Sequence, residues 1–140
     1  MKRIVIYNGV IAIFTADSSE SVMTQHQTIA VDMDGLVGDH NSEITLISKQ
    51  LLDGTGFSAE QLRRNIVTYD VPLYELIGHR FYIGDSVILE GLMYCKAKAP
   101  DGEDRGLFSG TMLDRGGIIA KVLRGGVIRV NDYVKIPYNY

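Results

Sequence analysis

Cysteine, tryptophan and proline are scarce in this chain, which has one cysteine, no tryptophan and three prolines in 140 residues. A single cysteine excludes an internal disulfide and a zinc site built from several cysteines, and in a reducing compartment it remains a thiol. Neither sign of charge is in large excess, because the formal net charge is -3. This balance argues against a nucleic-acid-binding protein held by phosphate contacts and against a polybasic membrane binder.

Long hydrophobic runs are missing as well. The longest uncharged apolar stretch, Ile4–Ala16, is interrupted by Asn8 and Gly9 and is too short for a membrane-spanning helix. It also lacks the cleavage-site pattern of a secretion signal, so we expect a cytoplasmic protein. With 46% apolar residues, the chain is long enough to bury one core, and we expect a single domain over residues 1–140.

Short stretches rich in β-branched and aromatic residues, separated by turn residues, make up much of the chain. Three dipeptides between such stretches are predicted to form hairpin turns: Asn8-Gly9, Gly84-Asp85 and Gly125-Gly126. The last is the strongest of these signals and predicts an antiparallel pair between Ile118–Leu123 and Val127–Ile136 in a closed or nearly closed barrel.

Helical signals are few and short. The predicted helical segments are Ser48–Asp53 ended by Gly54, a capping box with Ser58 and Gln61, Leu73–Ile77 ended by Gly78, and Leu107–Leu113. Strands at short intervals with small helices between them predict a mainly β protein, a β-barrel or strongly bent sheet with helical decorations.

Cys95 is the centre of the stretch with the most chemistry, residues 63–98. A lone cysteine is more often a small buried hydrophobe than a reactive thiol. However, Lys96 and Lys98 lie close after it, and cations near a thiol lower its pKa. A polar, turn-rich loop is expected next, over Ala97–Gly106. These neighbours predict a partly accessible Cys95 that reacts with iodoacetamide at neutral pH faster than free cysteine.

Anion-binding groups occur at two other places in the sequence. Arg63 and Arg64 could be a solvated helix end that pairs with Glu60, but a guanidinium is also the group that holds phosphate or carboxylate at two points. The glycine-punctuated loop Gly35–His40 is a plain turn by default, in which the aspartate before the histidine caps the backbone that follows it.

Six blocks in a fixed order carry a resemblance to a known family. They are Gly35–His40, Ile44–Ser48, Arg64–Val67, Leu76–Asp85, Cys95, and Gly117–Leu123 with Gly126–Asp132. Together they span about residues 30–137 and resemble a MOSC domain, the module named after the C-terminal part of molybdenum-cofactor sulfurases. The resemblance implies a β-barrel of the kind shared with the pyruvate kinase barrel, with a few short helices.

The resemblance also implies a function. Cys95 stands where a family cysteine stands, which implies that it carries sulfur as a persulfide or serves as a molybdenum ligand for the molybdenum cofactor (molybdopterin). The cofactor-binding residues that it implies are Arg64, Asn65, Lys96, Asp39 and His40. The implied partners are a cysteine desulfurase or a molybdoenzyme, with no nucleic acid and no membrane.

Two functions of different classes remain open at this stage. In the first, the chain is an enzyme or sulfur carrier, and Arg64 and Lys96 hold the anionic part of the ligand on which Cys95 acts. In the second, it is a binding module without chemistry, because the family loop reads Gly-Asp-Arg-His whereas here Asp39 is followed directly by His40. The first requires that Arg64, Asn65 and Cys95 lie on one face of the barrel.

Overall fold

The computed structural model describes residues 2–95 and 116–139. The loop predicted over Ala97–Gly106, the helix predicted over Leu107–Leu113, and Lys96 and Lys98 lie outside the described residues.

Strands dominate the described residues. They are β1 (Lys2–Asn8), β2 (Val10–Thr15), β3 (Thr24–His26), β4 (Thr28–Asp32), β5 (Gly35–Leu36), β6 (Ile44–Ser48), β7 (Ile66–Thr68), β8 (Arg80–Ile83), β9 (Val87–Tyr94), β10 (Ile118–Arg124), β11 (Gly126–Arg129) and β12 (Tyr133–Asn139). Two short α-helices and one 3₁₀ turn accompany them: α1 (Lys49–Thr55), α2 (Ala59–Leu62) and the turn Leu73–Leu76. The prediction of a mainly β fold with a few short helices is confirmed.

The helices begin at polar caps, as the sequence predicts. The Ser48 side chain accepts a hydrogen bond from the Leu51 amide at the start of α1, and Gly56 ends this helix with a φ of 75°. Ser58 and Gln61 form a reciprocal capping box on α2, with backbone-to-side-chain distances of 2.9 and 3.1 Å. Both caps satisfy amides that the first turn of a helix leaves without partners.

Nine strands form one bent sheet in the order β1-β12-β8-β9-β10-β6-β7-β2-β3, and β11-β4-β5 form a second sheet. Only the β6–β7 pair among these is parallel. The large sheet nearly closes on itself, because Val10 at the start of β2 donates to Asp132 at 3.0 Å and accepts from Asn131 at 2.7 Å just before β12. The described residues therefore form a barrel-like fold.

The core has two parts, one on each face of the large sheet. The barrel interior is filled by side chains such as Ile13, Leu46, Ile66 and Phe81, all fully buried. A smaller cluster lies between the outer face of the sheet and the helices and contains Phe14, Ala16, Met23, Ile47, Ala59, Leu62 and Val67. Successive residues of β6 and β7 thus pack in different clusters, as expected for strands buried on both faces.

One of the three predicted hairpin turns is confirmed. Strands β8 and β9 pair antiparallel across Gly84-Asp85, with Ile83 opposite Val87. Gly84 has a φ of 64°, the conformation that a tight turn requires and that glycine adopts without strain.

The other two hairpin predictions are wrong, although the strands themselves are present. Strand β10 pairs with β9 and β6, whereas β11 pairs with β4 and β12 with β1 and β8. Neither Gly125 nor Gly126 has the positive φ of a two-residue turn. They permit close approach instead, because a Cβ on Gly125 would lie 2.3 Å from the Val31 carbonyl oxygen. Similarly, Asn8-Gly9 separates two strands that pair with different neighbours.

No helix among residues 2–95 and 116–139 has the length and apolar character needed to cross a membrane.

Candidate functional site

The candidate site begins where α2 ends. Arg63 caps the helix in the left-handed conformation, with a φ of 63°, and its guanidinium donates to the carbonyls of Ser18 and Ser21. This turn directs the next two residues inward: Arg64 is 6% exposed and Asn65 is 3% exposed. Three successive residues at the end of α2 are therefore polar, and the second and third, Arg64 and Asn65, are buried.

Arg64 is held by two backbone carbonyls. Its Nε donates to the Gly116 oxygen at 2.7 Å, and its Nη1 donates to the Leu62 oxygen at 2.8 Å. These bonds fix the plane of the guanidinium and satisfy part of its donor set in the interior. A buried charge also needs an anionic or strongly dipolar partner, since removing it from water is costly.

Cys95 lies immediately after β9, next to the start of β10. Its backbone amide donates to the Gly117 carbonyl at 2.9 Å, and its side chain is buried, with 7% of the residue exposed. The consecutive carbonyls of Gly116 and Gly117 thus bind the Arg64 side chain and the Cys95 backbone, respectively. One short segment positions both groups.

The guanidinium and the thiol influence each other electrostatically. Burial raises the pKa of the Cys95 thiol, and the positive charge of Arg64 lowers it in part. Burial likewise lowers the pKa of Arg64, and the charge on a Cys95 thiolate raises it. An arginine nevertheless stays protonated in proteins, so the pair consists of a permanent cation beside a thiol that burial keeps neutral.

Glycine is required at position 117. Its φ is 84°, and a Cβ there would lie 1.9 Å from the Leu46 carbonyl oxygen. No L side chain fits so close to a backbone atom. The sequence carried a signal for this, the Gly116-Gly117 pair before a β-branched run, but it does not reveal that the preceding carbonyl binds Arg64.

Asn65, which directly precedes β7, is bonded to β2 and β6. Its Nδ2 donates to the Phe14 carbonyl at 3.0 Å, and its Oδ1 accepts from the Thr45 amide at 3.0 Å. Its backbone amide donates to the Thr45 hydroxyl at 2.8 Å. Both ends of the carboxamide are therefore bonded within the protein. Asn65 thus connects β2 and β6 next to Arg64.

Asp39 and His40 are bonded to the end of β2. Asp39 Oδ1 accepts from the Ala16 amide at 2.8 Å, and its Oδ2 accepts from the Asn41 amide at 3.2 Å. The His40 backbone amide donates to the Ala16 carbonyl at 2.8 Å, and its Nδ1 lies 2.9 Å from the same oxygen. These contacts fasten the loop after β5.

The prediction of an accessible Cys95 with a lowered pKa is wrong for the folded chain. The thiol is buried beside Arg64, and desolvation outweighs the effect of the neighbouring cation. The cation that faces it within the described residues is an arginine distant in sequence. Lys96, which the sequence suggested for this role, lies outside the described residues.

The described part of the chain offers few side chains that could bind molybdenum. Residues 2–95 and 116–139 contain no group of three or more His, Cys, Asp or Glu side chains able to hold a metal ion. Cys95 would supply one thiolate, which is a soft ligand. The Arg64 guanidinium, however, donates to two backbone carbonyls through Nε and Nη1, which does not fit a two-point grip on the phosphate of a pterin cofactor.

Solved structures with the same fold exist. The YuaD protein from Bacillus subtilis superposes with a TM-score of 0.75 at 16% identity, and the match covers 100% of both chains. YiiM from Escherichia coli matches with a TM-score of 0.69 at 12% identity over 94% of this chain and 71% of that one. YiiM from Geobacillus stearothermophilus matches with a TM-score of 0.53 at 10% identity, covering 96% and 76% of the two chains.

No protein-family model matches the chain, and no curated protein matches it in sequence. At such low identities the likeness to solved structures shows the fold alone. It supports a MOSC-like fold, which is what the sequence resemblance implied.

Proposed function

We propose that this protein is a sulfur carrier that holds a persulfide on Cys95, paired with Arg64. The observation that carries the proposal is that Arg64 and the single cysteine of the chain are both buried and are bonded to the consecutive carbonyls of Gly116 and Gly117. A permanent cation in the interior is stabilised by an anion near it, and Cys95, whose charge acts on Arg64, becomes anionic when sulfur is added.

The protonation of the two sulfur states supports this function. Burial raises the pKa of the thiol, so the empty carrier is neutral and a poor nucleophile at neutral pH. A persulfide is more acidic than the corresponding thiol, because the charge resides on the terminal of two sulfur atoms. The loaded form is therefore an anion under conditions in which the empty form is not, and it gains the full attraction of Arg64.

Loading follows from ordinary persulfide chemistry. The Cys95 thiol first loses its proton to solvent, and the thiolate then attacks the terminal sulfur of a donor persulfide, R–S–SH, forming a new S–S bond while the donor S–S bond breaks. The products are Cys95–S–SH and the donor thiolate R–S⁻, so the sulfane sulfur moves without an external oxidant or reductant. Arg64 lowers the cost of both anions at this position, the attacking thiolate and the persulfide.

The donor and acceptor that fit this chemistry are proteins that make or consume a sulfane sulfur. A cysteine desulfurase is the proposed donor, and a molybdoenzyme that needs a terminal sulfur is the proposed acceptor. The reducing cytoplasm is the proposed compartment, since a carrier thiol must not be lost to disulfides. In this proposal Cys95 has the catalytic role, while Asn65 and Gly117 position the segments on which Arg64 and Cys95 lie.

Sulfur loading followed by intact mass spectrometry tests the proposal. The folded protein is treated with a small polysulfide, because the thiol is only 7% exposed, and excess donor is removed. The wild type should gain one sulfur atom that a reducing thiol removes, and Cys95→Ser should gain none.

A relocated thiol gives the matched control. Val22 is 86% exposed, so the double variant Cys95→Ser/Val22→Cys carries one thiol without the buried cation. Its persulfide should decay faster than that on Cys95. If the relocated thiol gains sulfur and the wild type does not, the sulfur-carrier proposal is wrong. The alternative, a binding module without sulfur chemistry, would then be favoured.

A further inference from the structure

Strand β1 is one of the two edge strands of the nine-stranded sheet, and β3 is the other. It pairs with β12 over its whole length, from Lys2 opposite Asn139 to Asn8 opposite Tyr133, with no interruption in the register. Among residues 2–95 and 116–139, no strand pairs with its other side. The edge therefore presents a row of backbone N–H and C=O groups to solvent, a template for another strand.

The side chains on one face of this strand are apolar and exposed. Ile4 is 61% exposed and Ile6 is 59% exposed, whereas Val5 and Tyr7 on the opposite face are partly buried. Tyr133 on β12, opposite the last residue of β1, is also 52% exposed and extends the apolar surface. Contiguous exposed apolar side chains mark interaction sites, whereas single ones scattered over a surface do not.

Natural edge strands usually carry features that prevent pairing, such as a charge in the middle, a proline or a bulge. The stretch from Ile4 to Tyr7 has no charge and no proline, and its regular register excludes a bulge. Two cations border this stretch: Arg3 precedes it in β1, and Lys135 of β12 lies opposite Ile6. The edge is thus left open for a strand of compatible sequence.

We propose that a second copy of this chain pairs with β1 through its own β1, antiparallel and about a twofold axis at Val5. In this register Ile4 of each copy lies opposite Ile6 of the other, and Arg3 lies opposite Tyr7. The isoleucine pairs stack on one face, and each guanidinium meets an aromatic ring instead of a second cation. This register favours a second copy over an unrelated strand, because it pairs the exposed isoleucines with each other and sets no cation of β1 opposite another cation. In a twofold interface both copies make these same contacts.

The dimer is expected to be reversible. A single strand pair with two isoleucines from each copy buries less than the roughly 1,200–2,000 Å² of a standard stable interface. Sedimentation velocity from about 1 µM to about 500 µM should therefore show a monomer that becomes a dimer as concentration rises. The amides of Ile4 and Ile6 should gain protection from hydrogen exchange over the same range.

Charge placement tests the register. Ile4→Lys/Ile6→Lys sets like charges opposite each other twice and should be monomeric throughout. Ile4→Lys/Ile6→Glu sets opposite charges against each other in the proposed register and should dimerise, more weakly as salt increases. Val22→Lys is the matched control, because Val22 is 86% exposed and lies outside the sheets, and it should dimerise like the wild type.

All four proteins should have the same circular dichroism spectrum when monomeric, since the substituted side chains are exposed. The melting temperature of Ile4→Lys/Ile6→Lys should be slightly lower than that of the wild type, because position 6 lies opposite Lys135 in the same chain. A wild type that stays monomeric at every concentration would overturn the proposal. So would a dimer that persists in Ile4→Lys/Ile6→Lys, because it would form through another surface. Loss of the dimer in Ile4→Lys/Ile6→Glu would rule out the pairing of Ile4 with Ile6.

Discussion

The guanidinium of Arg64 lies beside the thiol of Cys95 in the interior, and each group shifts the pKa of the other. The pair is assembled by the carbonyls of Gly116 and Gly117, which bind the arginine side chain and the cysteine amide. Its stability and its chemistry are therefore connected, because a change that moves this short segment affects both groups.

Arg64→Met should destabilise the protein by about 2–4 kcal/mol, because it leaves the carbonyls of Gly116 and Leu62 buried without their partner. Urea unfolding measures the loss. The matched control is Arg124→Met, which removes an Nε bond of 2.7 Å to the Ser86 carbonyl at an exposed position and should cost no more than about 0.5 kcal/mol. Equal losses in the two variants would contradict a buried role for Arg64.

The stability contributed by Cys95 should depend on pH in the alkaline range. Burial raises the folded-state pKa of the thiol above its ordinary value of 9.0, so the folded state binds its proton more tightly than the unfolded state. The contribution is complete below pH 9.0 and is lost as the pH rises through the raised pKa. Unfolding free energies of wild type and Cys95→Ala should therefore converge with rising pH. A constant difference between them would contradict the raised pKa.

Asn65→Asp should be more destabilising at neutral pH than at acid pH. The substitution removes the donor to the Phe14 carbonyl and places a carboxylate in a site that is 3% exposed. A buried carboxyl group is more stable protonated, so lowering the pH relieves part of the cost. Denaturant unfolding at two pH values, with Asn41→Asp in an exposed loop as the control, measures the difference. A loss independent of pH would show that Asn65 is not enclosed.

Gly117→Ala should destabilise the fold by more than about 3 kcal/mol or prevent folding, because it combines a φ of 84° with a Cβ 1.9 Å from the Leu46 oxygen. Gly54→Ala is the matched control, because this glycine lies in α1 with open space around its Cβ position. It should be neutral or stabilising by up to about 1 kcal/mol. Thermal melts of the two variants measure the difference. A folded Gly117→Ala with the melting temperature of the wild type would show that position 117 does not require glycine.

Local features of the fold could be read from the sequence. The capping box of Ser58 and Gln61 and the hairpin at Gly84 depend on residues a few positions apart, and both are present. Strand pairing around Gly125 could not be read in this way. A β-branched run has the same pattern whichever neighbour it meets, and the glycine pair serves close approach to β4 instead of a turn.

For the candidate site, the sequence indicated which residues matter but not their burial. The sequence singled out Arg64 by its chemistry and Cys95 by its rarity. The predicted effect on the pKa of the thiol was assigned to Lys96, because a sequence shows which residues are neighbours along the chain and not which are neighbours in space. Burial of both side chains depends on how β7, β9 and β10 meet in space, and desolvation determines the direction in which the pKa of the thiol moves.

The most direct test of the central claim is the pH dependence of alkylation of the loaded persulfide in wild type, Arg64→Lys and Arg64→Met. If Arg64 stabilises an anionic sulfur on Cys95, the rate in the wild type should reach its plateau at a lower pH than in Arg64→Met. Arg64→Lys, which keeps a positive charge without the fork, should fall between them. Identical profiles in all three folded proteins would contradict the pairing of Arg64 with the sulfur that Cys95 carries.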